Sequence, residues 1–395
     1  VLTEKQAALS RPMVLLLAVA CGVAVGNLYF PQAVVPLVAA GLGVPAGTAA
    51  LVVTAAQFGY AAGIFLLVPL GDRVPPRPLI TTLLVTTGAG LLAASAAPGP
   101  AALAGLSALI GVTTVVAPLV GPMAAGLVPE ERRGAVTGTL LAGSIGGMLL
   151  SRAAGGALGE WLGWRAPYVL AAAASLTLAA VLARTLPTTA PAVRQPYPRL
   201  LAATLRLLRD EPELRRSCLY QATVFGAFTA VWTGAALLLT GPVYGFGAQS
   251  VGVLALVNVA TMLATPAAGR RIDRRGPDAV NLACFLAVLV SAAVLAAGGL
   301  GGAAGLAALA LGTLLLDVAM QSGMVANQVR IWALRPEARS RLNTAYMVCA
   351  FLGGGFGSWA ATRAYTHVGW PGVSALVALL AGLGLARHLL RRSRP

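Results

Sequence analysis

Gly269-Arg270-Arg271-Ile272-Asp273-Arg274-Arg275-Gly276 follows one long apolar stretch, and Gly71-Asp72-Arg73-Val74-Pro75-Pro76-Arg77 follows another far earlier in the chain. The two Asp-Arg pairs lie 201 residues apart in a sequence of 395. Other segments repeat in the same order. Pro129-Glu130-Glu131-Arg132 returns as Pro336-Glu337-Ala338-Arg339 at an offset of 207. That offset also pairs Thr137 with Thr344, Gly146-Gly147 with Gly353-Gly354, and Ser151 with Ser358. Gly163-Trp164 returns as Gly369-Trp370 at 206. Chance yields one such match, not an ordered set, so the chain reads as an internal duplication. Its expected halves are 1–185 and 217–395, of the same orientation, joined by a cytoplasmic linker at 186–216.

The repeated unit suits lipid rather than water. Hydrophobic residues make up 58% of the chain and charged ones 10%, with mean hydropathy +0.82; soluble proteins carry roughly 25% charged residues. That excludes an ordinary water-soluble enzyme. Crossing the hydrocarbon takes about 20 mainly apolar residues. Spans are predicted at about 12–40, 47–71, 78–96, 100–127, 134–158, 165–185, 217–240, 247–268, 277–299, 301–325, 341–364 and 370–389. Gly298 to Gly302 must then supply a very tight turn. The runs far exceed the ~9–11 residues of a barrel strand and lack its alternation. The expected fold is an all-α polytopic membrane protein of twelve transmembrane helices in two parallel six-helix repeats.

The formal charge is +16, from 28 basic and 12 acidic residues. Nucleic-acid binders need basic stripes with interleaved aromatics, whereas here the arginines cluster between apolar runs. With the N-terminus inside, 25 of the 28 fall on the cytoplasmic side, Arg165 and Arg363 fall outside, and Arg152 falls within a span. Such a bias is the positive-inside rule. It places both termini in the cytoplasm and leaves no reason to expect a nucleic-acid partner. Lys5, Arg11 and the run Leu17-Ala18-Val19-Ala20-Cys21 faintly resemble a lipoprotein leader, but the apolar stretch outruns a signal peptide. An uncleaved first helix is expected. Cys21, Cys218, Cys284 and Cys349 have no metal-ligand or redox spacing, and His367 and His388 have no ligand cluster beside them. Neither a metal site nor a cofactor is expected. In the linker, leucines interleaved with Arg199, Arg206 and Arg209 suit a short helix on the inner leaflet.

Twelve spans in parallel halves, with Asp-Arg loops after spans two and eight, resemble the major facilitator superfamily over essentially the whole chain. The family's loop signature, Gly-x-x-x-Asp-Arg-x-Gly, is matched in the second copy by Gly269, Asp273, Arg274 and Gly276. The first copy keeps Asp72, Arg73 and Arg77 but has Val68 and Pro75 at the glycine positions. The fifth-helix antiporter signature, Gly-x-x-x-Gly-Pro-x-x-Gly-Gly, is echoed by Gly147, Ser151-Arg152 and Gly155-Gly156, with Ser-Arg in place of Gly-Pro. Ser107 stands where many drug exporters carry an arginine. The overall look is similar to bacterial efflux-type members. The resemblance implies alternating access, with the Asp-Arg loops as gating latches on the inner side; the alternative for those loops is a solvated charge cluster that serves topology.

Ionisable residues within spans are costly and mark function by default. Asp317 stands near the middle of the tenth span, with Thr313, Gln321 and Gln328 on one helical stripe interrupted by Met324. A carboxylate withdrawn from water is costly when charged, so Asp317 could load and release a proton as access alternates. It could equally be a permanently paired structural charge or a substrate contact. Arg152 could pair with Asp317, bind an anion, or serve structure and gating. Tyr29 and Gln32 share one face of the first span, and Gln57 and Tyr60 one face of the second. Asn27 points elsewhere unless Pro31 loosens its helix. These are the substrate-cavity candidates, Asn343 and Trp359 being weaker ones, although Tyr and Gln also glue helices together.

The expected function is secondary active transport, as proton-coupled export of a small organic compound or drug by a monomer in a bacterial plasma membrane. A proton-symport importer of a metabolite is the alternative, and a non-transporting membrane sensor a remoter one. An enzyme is not expected, for want of a nucleophile pair or repeated acidic metal motif.

Overall fold

The computed structural model describes residues 9–187, 196–335 and 338–392, without the side chains of 262–275 and 391–392. The described chain is helical and contains no strand. Helix α1 (Arg11–Leu42) starts behind Ser10, whose hydroxyl accepts from the Met13 amide, and stops at Gly43 with φ 63°. A Gly there leaves the helix in the left-handed region at little cost. Two helices, α2 (Ala46–Ala49) and α3 (Leu51–Leu67), then run into a 3-10 turn over Val68–Asp72. Next come α4 (Pro76–Ser95), α5 (Pro100–Thr113), α6 (Val116–Gly126), α7 (Glu130–Leu162) and α8 (Ala166–Thr185). Helices α5 and α6 form one apolar segment broken at Thr114 and Val115.

The linker holds α9 (Tyr197–Asp210), as its leucine–arginine pattern predicts: Leu200 and Leu207 are buried while Arg199, Arg206 and Arg209 are exposed. Beyond it lie α10 (Pro212–Thr240), α11 (Gln249–Val257), α12 (Thr261–Ala296), α13 (Gly302–Leu334), α14 (Arg339–Val368) and α15 (Trp370–Arg392). Helix α12 is two helices meeting at Gly276, where φ is 76°. The tight turn expected at Gly298 to Gly302 is a 3-10 turn over Ala297–Leu300 followed by Gly301 and Gly302 at φ 75° and 63°.

Among the described residues, ten segments are long and apolar enough to cross a bilayer. Large apolar side chains such as Leu150, Leu170 and Leu379 are exposed around the bundle, which is the surface a multi-pass membrane protein presents to lipid. Several helices extend beyond their expected spans, α10 by five residues and α13 by nine among them. Helix α10 begins at Pro212 and α13 runs on to Leu334 because Arg216 and Arg330 are buried inside the bundle, where both donate to Asp278. Hydropathy alone scores those arginines as loop.

Glycines set the closest crossings. A Cβ added to Gly147 of α7 would lie 2.1 Å from the Gly22 carbonyl of α1, and one added to Gly357 of α14 would lie 2.1 Å from the Gly226 carbonyl of α10. Small residues allow backbones this near, and the two crossings use corresponding parts of the repeated sequence. Helix α3 also packs on α14, and α7 on α11. Helix α10 runs through the interior, with Tyr220, Phe228 and Trp232 fully buried.

Candidate functional site

Helices α7, α10 and α13 bring three side chains together in the middle of the bundle. Arg152 from α7 is 0% exposed and Asp317 from α13 is 2% exposed. Trp232 from α10 joins them: its indole N–H donates to Asp317 Oδ1 at 3.3 Å, and the Arg152 guanidinium carbon lies 4.1 Å from its ring centre. Tyr29 and Phe228 complete an aromatic cage, their ring centres 4.9 and 5.4 Å from the same carbon. A desolvated guanidinium over an aromatic face gains about 2 kcal/mol. Arg152 Nε donates to Gln32 Oε1 at 2.9 Å.

The cage leaves hydrogen-bonding capacity unused. Arg152 Nη1 and Nη2, Asp317 Oδ2 and Gln32 Nε2 are buried without a partner. An unsatisfied buried polar group costs about 1–3 kcal/mol, so this layer holds an incomplete network around two opposite charges.

Against this layer lies a cavity of about 240 Å³, reaching from Tyr29 and Met148 to Gln328 and Asn343. Tyr29, Tyr60, Gln321 and Gln328 line it; Asn27, Gln32 and Gln57 do not. Asn27 instead donates to Ser175 at 3.2 Å and Thr114 at 3.5 Å, tying α1 to α8 and to the break between α5 and α6. Gln57 is 0% exposed, with both amide atoms unpartnered, beside Gly354 of α14. Thr313 accepts from Asn258 at 3.2 Å, a partner that spacing along α13 alone does not reveal. Four methionines (Met148, Met320, Met324 and Met347) and two phenylalanines, Phe225 and Phe351, supply the apolar wall. Tyr60 packs edge-on to Phe351 at 4.4 Å, and Gln221 accepts from the Tyr346 hydroxyl at 2.8 Å.

From the depth of Trp232 on towards the end carrying Gly163 and Gly241, side-chain hydrogen bonds tie helices together. Ser358 of α14 accepts from Thr54 of α3 at 3.2 Å and from Thr233 of α10 at 3.1 Å. The Glu160 carboxylate of α7 accepts from the Ala248 amide at the start of α11 at 2.7 Å. At the opposite end Arg77 donates to the Ala183 carbonyl, Arg73 is exposed, and Asp72 lies in the field of Arg341 of α14. The second Asp-Arg segment, expected as a loop, is helical within α12 up to the break at Gly276, and the side chains of Asp273 and Arg274 lie outside the described residues.

A family model described as the Major Facilitator Superfamily matches residues 15–328. The chain belongs to that superfamily. Similar along almost its whole length is the uncharacterized transporter YgaY of Escherichia coli O157:H7, 32% identical over 97% of this chain and 96% of its own. A chloramphenicol resistance protein of Streptomyces lividans is 30% identical over 287 residues, 69% of each chain. Among solved structures, the nucleoside transporter NupG superposes with a TM-score of 0.76 over 96% of this chain and 98% of its own. At 13% identity that likeness shows the fold alone. The protein is thus a multi-pass membrane transporter of the superfamily and not an enzyme.

Proposed function

We infer that this superfamily member exports a small organic compound in exchange for protons, as a monomer in the plasma membrane of a bacterium. The observation that carries the reading is the Arg152–Trp232–Asp317 layer, in which opposite charges are buried yet share no direct bond. While Asp317 is ionised it offsets Arg152; once protonated, it leaves a buried cation uncompensated. Removing one member of a buried pair is worth several kcal/mol. Proton loading therefore alters the joint between α7 and the pair α10 and α13, and a ligand or proton that discriminates two states shifts their populations.

Alternating access gives that shift a direction. In this reading α1–α8 and α10–α15 are two six-helix halves that cross the membrane twelve times in all, with both termini and α9 in the cytoplasm. The tied end with Glu160 and Ser358 faces out and the cavity opens inwards. Asp72, Arg73 and Arg77, together with Asp273, Arg274 and Gly276, form the inner gating loops. The resistance named for the Streptomyces lividans relative supports export of a drug-like molecule.

Proteoliposomes separate the alternatives. With the lumen acid, the wild-type protein should accumulate chloramphenicol inside, and Asp317→Asn should abolish the response to the gradient. Uptake that requires acid outside would make the protein a symporter. Gradient-driven transport that survives in Asp317→Asn would remove Asp317 as the proton carrier.

A further inference from the structure

We propose that the transported compound is uncharged, with an apolar body and hydroxyl or amide groups, and that the cavity discriminates against cations and anions alike. This rests on the export reading only in taking the 240 Å³ cavity as the transport site. Among the described residues, no Asp, Glu, Lys, Arg or His side chain lines that cavity. Its polar groups are neutral. Asn343 Oδ1 is a buried acceptor without a partner. The Gln221 carbonyl is occupied by the Tyr346 hydroxyl, which leaves its amide N–H groups free to donate. Gln321 and Gln328 add further amides along α13. Such a set offers both donors and acceptors to a neutral molecule, and no counter-charge to an ion.

Aromatic walls could still attract a cation through their ring faces, and the geometry argues against it. The Tyr29 ring already carries the Arg152 guanidinium at 4.9 Å, so its attraction for a cation is already engaged. Tyr60, Phe225 and Phe351 pack edge-to-face with one another at 4.4 and 4.9 Å. An anion fares no better, because the Arg152 guanidinium does not line the cavity and its N–H groups are therefore not offered to a ligand there. The four methionines offer polarizable, adaptable surface suited to an irregular apolar body. Charge handling and substrate binding occupy separate layers, so one neutral molecule exchanged for one proton moves net charge.

Thiol labelling reads the cavity without knowing its substrate. Cys21, Cys218, Cys284 and Cys349 are replaced by Ala, and a single cysteine is introduced as Gln321→Cys on α13 or Met347→Cys on α14; Leu150→Cys on the exposed surface is the reference. The detergent-solubilised proteins react with methanethiosulfonates of one size that carry a trimethylammonium, a sulfonate or the neutral 3,3-dimethylbutyl group. Rates are divided by those at Leu150→Cys, which corrects for partition into the micelle. The neutral reagent should exceed each charged one by more than about fivefold at the cavity positions, as burial without a counter-charge demands. A smaller ratio for either charged reagent, at whichever cavity variant folds, overturns the proposal. Labelling needs no gradient, so failure of proton-driven transport with this ratio intact refutes the export reading alone.

Discussion

The Arg152 guanidinium carbon lies 4.1 Å from the centre of the Trp232 ring, and the same indole gives its N–H to Asp317. One side chain therefore serves a cation by its face and an anion by its edge. Replacing Trp232 separates the two services. Trp232→Phe keeps a ring beside Arg152 and loses only the donor, so stability should fall by about 1 kcal/mol, the net worth of one hydrogen bond. Trp232→Ala removes ring and donor from a fully buried site and should cost about 3–5 kcal/mol. Thermal unfolding in detergent measures both. Equal losses would mean that the ring does nothing for Arg152.

Arg152 and Asp317 should be energetically coupled although no hydrogen bond joins them. Arg152→Gln or Asp317→Asn alone leaves the other charge buried without its counterpart, at a cost of about 3–5 kcal/mol. The double variant leaves none, and should be more stable than the sum of the single losses by at least about 1 kcal/mol. Additivity within about 0.5 kcal/mol would show that Trp232 screens the pair into independence.

The way this layer is built explains what the sequence could and could not disclose. Hydropathy finds most of the membrane helices, because lipid sets a minimum length and polarity for a span: among the described residues ten of the twelve expected spans are segments long and apolar enough to cross, whereas the eighth is divided among α11, a 3-10 turn and α12. It fails at Arg216 and Arg330, which are buried and donate to Asp278, within one helix that hydropathy begins late and another that it ends early. Asp317 and Arg152 stood out as charges in apolar runs. Trp232 did not, since it is one aromatic among apolar neighbours, and only its need for a partner when buried hinted at a role. Asn27 stands out as a polar residue in a span, but its tie to Ser175, 148 residues away, does not, and Asn258 is silent because its partner Thr313 lies 55 residues away.

The tied end predicts a conformational effect. Glu160 accepts from the Ala248 amide at the start of α11, where a carboxylate gains about 0.3–1 kcal/mol from the helix dipole, and Ser358 gathers hydroxyls from α3 and α10. Glu160→Gln combined with Ser358→Ala should raise the population opened at this end several-fold, since about 1.4 kcal/mol is tenfold. Spin labels on α7 and α11 report it as a second, longer distance. An unchanged distance distribution would mean that glycine packing, not these bonds, holds the end closed.

Glycine packing carries a prediction of its own, with an internal control. A Cβ on Gly59 of α3 would lie 2.2 Å from the Ala108 carbonyl of α5, whereas one on Gly138 of α7 meets nothing within 4 Å. The first contact involves backbone on both sides, so no side chain can swing away to relieve it. Gly59→Ala must therefore push α3 from α5, at a cost of about 1–3 kcal/mol or more. Gly138→Ala adds a methyl to open space and improves helix propensity by up to about 1 kcal/mol. The two substitutions are chemically identical, so a difference in unfolding temperature between them isolates the crossing. Should both variants unfold alike, the close approach of α3 and α5 would not be a source of stability.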